Sequence, residues 1–319
     1  MIDLIIPTYN QPEMLADCLA SVRRYTTAEY NLVIADDHSP DATMKKVWRG
    51  CKVIYNESGT QGFPHNCNWA VSKTKAPFIC LLNSDTVAKP LWLDAMLDEM
   101  DDPTVGIVGA KLLYPADHPL SRGIQHAGVA HNVQGMPYHI FRGMDRNAER
   151  ANRRRELNAV TFACVLIRRE VWEQVGGLCE DYVGGQFEDI DFCHKARERG
   201  WKIVYQPNAV LIHREHGSGM EFVNVSSKPN SVLYQQRWGH LGSDEYLFQD
   251  VTMDLETVAA VVQMVRSRAM RYITQTPTRE HIEHCERVAR LPYKHLAPHE
   301  QEITRDMARM LLKELGAAL

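Results

Sequence analysis

No stretch of this chain is apolar for the roughly 18 residues that a bilayer-spanning helix needs, so membrane contact, if it occurs, is expected to be peripheral. Cys-x-x-Cys pairs are also absent: the 8 cysteines are scattered over 319 residues. Cys80 and Cys164 sit inside apolar runs, which reads as buried thiols of a reducing compartment and not as a disulfide framework. The charge excess is small, with 36 basic against 40 acidic residues and a net charge of -4. That leaves no global basic footprint for duplex nucleic acid, although local basic patches stay open. No glycine fingerprint follows a strand, which removes the dehydrogenase and P-loop readings. Internal repeats and low-complexity segments are missing too. The first residues, Met1-Ile2-Asp3-Leu4-Ile5-Ile6, enter a strand without a signal peptide, and the expected location is cytoplasmic. At 45% hydrophobic and 24% charged residues, the chain has enough apolar material for one large folded domain or one domain with an appendage, and disorder is not expected.

What is present is an alternation of short apolar runs with amphipathic helical patterns, the signature of an α/β protein with a mainly parallel sheet flanked by helices. Strands are predicted at Asp3–Pro7, Leu32–Ala35, Lys52–Asn56 and Phe78–Leu82. Between the first two, Asn10 is the expected cap of a helix with Pro12 in its first turn and Met14, Leu15, Cys18, Leu19 and Val22 on one face. Further buried strands are expected at Gly106–Leu113 and Val160–Ile167, separated by a long irregular stretch rich in Gly, His and Arg. Long loops in compact domains often carry function. The pattern changes near Val251, where Leu255, Val258, Val262 and Val265 and later Met307, Met310, Leu311 and Leu315 form narrow helical stripes suited to docking. Two parts are therefore expected, residues 1–250 and a C-terminal helical extension at 251–319. The extension packs on its own chain or on a second copy as a homodimer.

Three acidic clusters sit at the ends of these elements. In Leu81-Leu82-Asn83-Ser84-Asp85 an apolar strand ends in oxygen-bearing side chains at alternate positions, so Asn83 and Asp85 share a face beyond a strand's carboxyl end, where ligands gather in open α/β sheets. A magnesium or manganese ion needs only one or two protein oxygens there if a bound diphosphate supplies other ligands. The alternative is a turn and helix cap before Pro90-Leu91-Trp92. Asp36-Asp37-His38-Ser39 offers a carboxylate to a nucleobase or ribose, or a capped turn. Glu188-Asp189-Ile190-Asp191 opens a helix whose positive end favours acids with or without a catalytic role. Three such ends in one chain point to a shared site.

Together these residues resemble the family 2 glycosyltransferases of the GT-A fold, in particular the rhamnosyltransferase-like branch, from about Met1 to Gly239. The matching pieces run in order: Ile6-Pro7-Thr8-Tyr9-Asn10, Asp36-Asp37-His38-Ser39, Asn56 through Gly62-Phe63 to Asn68, and Leu82-Asn83-Ser84-Asp85-Thr86. Then come Ala163-Cys164, Arg168-Arg169, Val175-Gly176-Gly177, Glu188-Asp189-Ile190-Asp191, Arg199-Gly200-Trp201, His213 and Arg237-Trp238-Gly239. The resemblance implies a nucleotide-sugar-binding set of Pro7, Thr8, Tyr9, Asp37, Asn68, Asn83 and Ser84, with Pro7, Tyr9 and Asp37 on base and ribose. It implies that Asp85 binds a divalent cation, Mn2+ or Mg2+, bridging the donor's diphosphate. His213 either joins the cation or ends its strand as a hydrogen-bonded residue; His216 is a weaker candidate. Arg214–Gly219 resembles a loop that orders over the donor.

Glycosyl transfer needs a base for the acceptor hydroxyl. Asp189 is the expected base, with Glu188 or Asp191 positioning sugar or acceptor, and the Glu-Asp element implies an inverting enzyme. The donor is expected to be a UDP- or dTDP-sugar and the acceptor a hydroxyl-bearing glycan, lipid-linked glycan or other molecule in polysaccharide synthesis. Rival readings are a non-catalytic carbohydrate-binding protein and a sugar-nucleotide pyrophosphorylase. The latter should carry a Gly-rich basic loop where this chain has Pro7-Thr8-Tyr9-Asn10. Arg142, Arg146, Arg150 and Arg153-Arg154-Arg155 read as a solvated face or a grip on an anionic acceptor. His281, His284, Cys285, His295 and His299 match no familiar zinc spacing. Gln235, Arg237 and Trp238 are placed by the resemblance on the acceptor side.

Overall fold

The computed structural model describes residues 1–40, 44–120, 123–132, 135–214 and 220–241, with the side chains of the last segment described from Lys228 onward. The chain divides into a unit of Met1–Ser243 and a second of Asp244–Leu319. The apolar stripes of the tail, its histidines and His216 lie outside the described residues.

Elements follow in the order β1 Ile2–Thr8, α1 Pro12–Tyr25, β2 Tyr30–Asp36, α2 Met44–Val47, β3 Lys52–Tyr55, α3 Phe63–Ser72, β4 Phe78–Leu82, β5 Thr86–Ala88 and α4 Trp92–Glu99. Then come β6 Val105–Leu113, β7 Ile124–His126, β8 Val129–His131, β9 Pro137–His139, β10 Arg155–Leu157, β11 Cys164–Arg168, α5 Arg169–Val175, α6 Glu188–Glu198, β12 Lys202–His213 and α7 Met220–Trp238. The main sheet runs β10-β12-β6-β11-β4-β1-β2-β3, with β5 also on β12 and β7 also on β6. β4, β1, β2 and β3 pair in parallel, as do β12 and β6. β11 runs against both of its neighbours between them. β8 and β9 form a separate two-stranded hairpin.

The expected mixed sheet flanked by helices is what the chain forms. Every residue of β1 and β6 is buried, as near-continuous apolar strands covered on both faces require. On one face Leu15, Leu19 and Val22 of α1, Met44 of α2 and Trp92, Leu93 and Met96 of α4 join Leu4, Ile6, Cys80 and Leu82 in one apolar core. α3, α5 and α6 form the other layer, α3 against β1 and β2 and α5 against β11.

Three local expectations are corrected. Asn10 does not cap α1: the preceding position is Gln11, without a side-chain cap, and the Asn10 N–H donates to Ser39 Oγ at 2.8 Å. Asn10 and Gln11 both adopt positive φ, 57° and 63°, a left-handed turn that non-glycine residues adopt at a cost. The strand expected at Val160–Ile167 starts only at Cys164; Val160 packs so closely on Gly109 that a Cβ there would sit 2.5 Å from it. The long irregular stretch contains the short strands β7 to β10, which three residues apiece leave without a readable period.

Candidate active site

A cleft of about 870 Å³ opens at the carboxyl ends of β1, β2 and β4, where an open α/β sheet gathers its ligands. Pro7, Thr8, Tyr9 and Gln11 line it after β1, Asp37 after β2, and Asn83, Ser84 and Asp85 after β4. Because β11 runs opposite to β4, the segment entering β11 arrives at the same edge, and Thr161, Phe162 and Ala163 join the lining. The start of α3, the segment Gly184–Ile190, His213, and Val129, Pro137, Tyr138, His139 and Arg142 close the remaining sides.

The two adjacent acids after β2 divide the readings left open by the sequence. Asp36 is a turn residue: its Oδ1 accepts from Ser39 Oγ at 2.5 Å and its Oδ2 from Ser39 N–H at 3.2 Å. Asp37 faces the cleft, its Oδ1 accepting from Asn56 Nδ2 at 2.7 Å and its Oδ2 from Gly62 N–H at 2.8 Å. Those two bonds fix the carboxylate and tie the loop ahead of α3 to the same wall.

Asp85 and His213, far apart in sequence, meet through β5. This strand pairs antiparallel with the end of β12, with His213 opposite Thr86, and Arg214 N–H donates to Asp85 C=O at 3.1 Å. His213 Nε2 thereby lies 3.3 Å from Asp85 Oδ1. An octahedral cation with bonds of about 2.1 Å sets neighbouring ligands about 3 Å apart, so this oxygen and nitrogen fit two adjacent positions around one ion. Among the described residues no cluster of three or more His, Cys, Asp or Glu is placed to hold a metal. α4 begins at Trp92 without a side-chain cap, so the cap reading of Asn83-Ser84-Asp85 does not apply. His213 Nδ1 faces Gln125 Oε1 at 2.7 Å. Gln125 was not legible in the sequence.

The start of α6 brings Glu188 and Asp189 to the same cleft. Asp189 Oδ2 accepts from Phe162 N–H at 3.2 Å and Oδ1 from Ile190 N–H at 2.8 Å. Burial raises its pKa above the usual aspartate value, while these amides and the Thr161 hydroxyl pull the other way. Glu188 is 5% exposed, and its Oε2 has no hydrogen-bond partner among the described residues. Burial, reinforced by Asp189, pushes its pKa well above the glutamate range. Both carboxyls are thus pushed up, Glu188 the more strongly, and Asp189 is the one whose carboxylate two neighbouring backbone N–H groups hold in place.

The sign of the Glu188 effect on stability is fixed. The unfolded chain ionises this carboxyl in its ordinary range, whereas the folded chain holds the proton to higher pH, so the group opposes folding increasingly as pH rises above that range. Glu188→Gln is expected to raise the thermal midpoint at pH 7.5, with the gain shrinking toward pH 4. An equal loss at both pH values would contradict a raised Glu188 pKa.

Asp191 and Asn68 lie outside the cleft lining. Asp191 is 0% exposed: Oδ2 pairs with Lys195 Nζ at 2.6 Å, and Oδ1 accepts from Trp238 Nε1 at 2.8 Å and Tyr182 OH at 3.3 Å. One turn into α6, it faces the protein interior and anchors α7. Asp191→Ala would leave these donors without their acceptor, and a loss of about 3 kcal/mol is expected in urea unfolding. Asn68 clamps the 177–180 turn, its Nδ2 donating to Leu178 C=O at 2.9 Å and its Oδ1 accepting from Leu178 N–H at 2.8 Å. Gly177, at φ 84°, makes room for it, since a Cβ would sit 2.6 Å from Asn68 Oδ1. Arg237 binds Asp181 Oδ2 at 2.6 Å, and it and Trp238 hold the fold instead of lining the cleft. The arginine run splits: Arg142 lines the cleft, while Arg153 and Arg154 pair with Glu149 and Glu99.

Comparison with known proteins agrees with this geometry. Uncharacterized protein y4gI of Sinorhizobium fredii (strain NBRC 101917 / NGR234) is 32% identical over 232 residues, which cover 68% of this chain and 25% of that protein. The chain thus spans about a quarter of that relative's length. N-acetylglucosaminyl-diphospho-decaprenol L-rhamnosyltransferase of Mycobacterium tuberculosis (strain CDC 1551 / Oshkosh) is 24% identical, over 69% of this chain and 78% of its own. Among solved structures, GalNAc-T7 with UDP, GalNAc and Mn2+ superposes with a TM-score of 0.55 at 16% identity, covering 67% of this chain and 44% of that one. That likeness shows the GT-A fold. The model of the family described as Glycosyl transferase family 2 matches residues 3–176, more than half of the chain, which therefore belongs to glycosyl transferase family 2.

Proposed function

We propose that this chain transfers a sugar, with inversion, from a nucleoside-diphosphate donor to an acceptor hydroxyl, using a divalent cation held by Asp85 and His213. The observation that carries the reading is that one cleft is lined by Asp37, by the adjacent Asp85 and His213, and by Asp189. Asp37, fixed by Asn56 and Gly62, keeps further lone pairs for ribose or base, and Pro7 and Tyr9 flank the same end. A relative of the fold crystallised with UDP and Mn2+ supports the choice of donor class and ion. One carboxylate and one imidazole are a mixed oxygen and nitrogen set, softer than magnesium prefers, which favours manganese.

When bound, the cation would offset the negative charge that develops on the leaving diphosphate. Asp189 takes the acceptor hydroxyl's proton on a carboxylate oxygen as the new bond forms at the anomeric carbon. Its raised pKa brings it closer to the working pH, where a base is most effective. Phe162 and Ile190 N–H groups hold that carboxylate in place. Tyr138, His139, Arg142 and Phe187, which also line the cleft, offer an acceptor aromatic and cationic surfaces suited to a glycan. The rhamnosyltransferase relative, named for a sugar carried on a diphospho-decaprenol, supports a lipid-linked glycan as acceptor class.

The test is to incubate the purified protein with a panel of UDP- and dTDP-sugars and manganese and to follow nucleotide release. Slow donor hydrolysis of at least one sugar is expected. No release from any donor, with or without glycan acceptors, would favour a non-catalytic binding protein.

A further inference from the structure

Gln125 is 1% exposed and sits where β7 departs from regular pairing with β6. Leu112 faces His126, but Leu113 faces Ile124, so Gln125 is the extra residue of a β-bulge. Bulges beside a site re-aim a side chain that regular pairing would send elsewhere. Here the side chain reaches both ends of one residue: Nε2 donates to the His213 C=O at 3.1 Å, and Oε1 faces His213 Nδ1 at 2.7 Å.

The amide can take only one orientation. A carbonyl accepts and never donates, so the nitrogen of Gln125 must face the His213 C=O and its oxygen must face the ring. A ring nitrogen opposite an amide oxygen must carry a hydrogen. In the neutral imidazole that one hydrogen sits on Nδ1 and leaves the lone pair on Nε2, the nitrogen that lies 3.3 Å from Asp85 Oδ1. Resting on the cation reading given above, we propose that Gln125 is a positioning residue that sets the His213 tautomer and ring angle for cation binding at Nε2. Partners of this kind are worth about 10- to 100-fold in metal affinity at known sites. The Gln125 C=O also accepts from His139 Nδ1 at 3.3 Å, so the same residue holds both His213 and the cleft-lining His139.

The experiment uses the full chain with 15N-labelled histidine and needs no substrate. At pH 8, long-range imidazole correlations, assigned through His213→Gln, are expected to show the hydrogen on Nδ1 of His213 in the parent. Gln125→Glu, which keeps an acceptor at Nδ1, is expected to retain that pattern, and Gln125→Leu to lose it. Manganese alone, titrated by electron paramagnetic resonance, is expected to bind Gln125→Leu about 10- to 100-fold more weakly than the parent. A hydrogen on Nε2 in the parent, or unchanged manganese affinity in a folded Gln125→Leu, would overturn the role of Gln125 while leaving the cation site standing. A parent that binds no manganese would overturn the cation reading and this inference with it.

Discussion

Asp189→Asn is expected to lower sugar transfer by about 10²- to 10⁴-fold, the usual worth of a positioned general base, while donor binding stays within a few-fold of the parent. The amide has the size of the carboxylate, and its oxygen can still accept one of the two backbone N–H groups, from Phe162 and Ile190, that hold the side chain. What it loses is the ability to take a proton. Glu188→Gln provides the contrast, because the amide keeps the size and polarity of a side chain that is not the expected base, so activity within a few-fold of the parent is expected. Asp191, locked between Lys195, Tyr182 and Trp238, is expected to act on stability and not on the chemical step. Steady-state rates with donor affinities for the three variants distinguish these roles. An inactive Glu188→Gln beside an active Asp189→Asn would reassign the base.

Asp85→Ala is expected to abolish detectable transfer, a loss of about a thousandfold or more. Charge stabilisation by a catalytic cation is worth several kcal/mol, and each 1.4 kcal/mol is tenfold in rate. Adding chelator to the parent should bring its rate down to that of the variant, and chelator should have little further effect on the variant, since both changes remove one interaction. His213→Ala is expected to weaken the dependence on manganese without removing it, because Asp85 remains. Transfer by Asp85→Ala at near-parental rate would place the cation elsewhere or dispense with it.

The parallel half of the sheet was legible because β1, β2, β3 and β4 each bring an apolar run that ends in turn or site residues, with an amphipathic helix after the first. The acid-bearing ends were legible for the same reason, since a polar residue directly after a buried strand stands out. Which acid of a pair faces the cleft was not. Asp36 and Asp37 are identical side chains on successive residues, and only the positions of Ser39, Asn56 and Gly62 separate the turn former from the cleft residue. Asp189 and Asp191 differ in the same way, by two residues at the start of one helix. Thr161 and Phe162 belong to the apolar run Val160–Ile167 that predicts one buried strand, yet they stay outside β11 and form part of the cleft. Gln125 depended on a bulge, and a bulge is a relation between two strands with no pattern in either one. Asn68 belongs to a matching motif, but its role as a clamp on residues 177–180 needed the fold to bring the two segments together.

The measurement closest to the central claim is calorimetric titration of the full chain with UDP and dTDP, each with manganese and each with excess chelator. A cation held by Asp85 and His213 predicts that at least one nucleotide binds with manganese and that its affinity falls by at least about tenfold in chelator, with Asp85→Ala matching the chelated parent. Equal affinity with and without manganese, or no binding of either nucleotide, would contradict it.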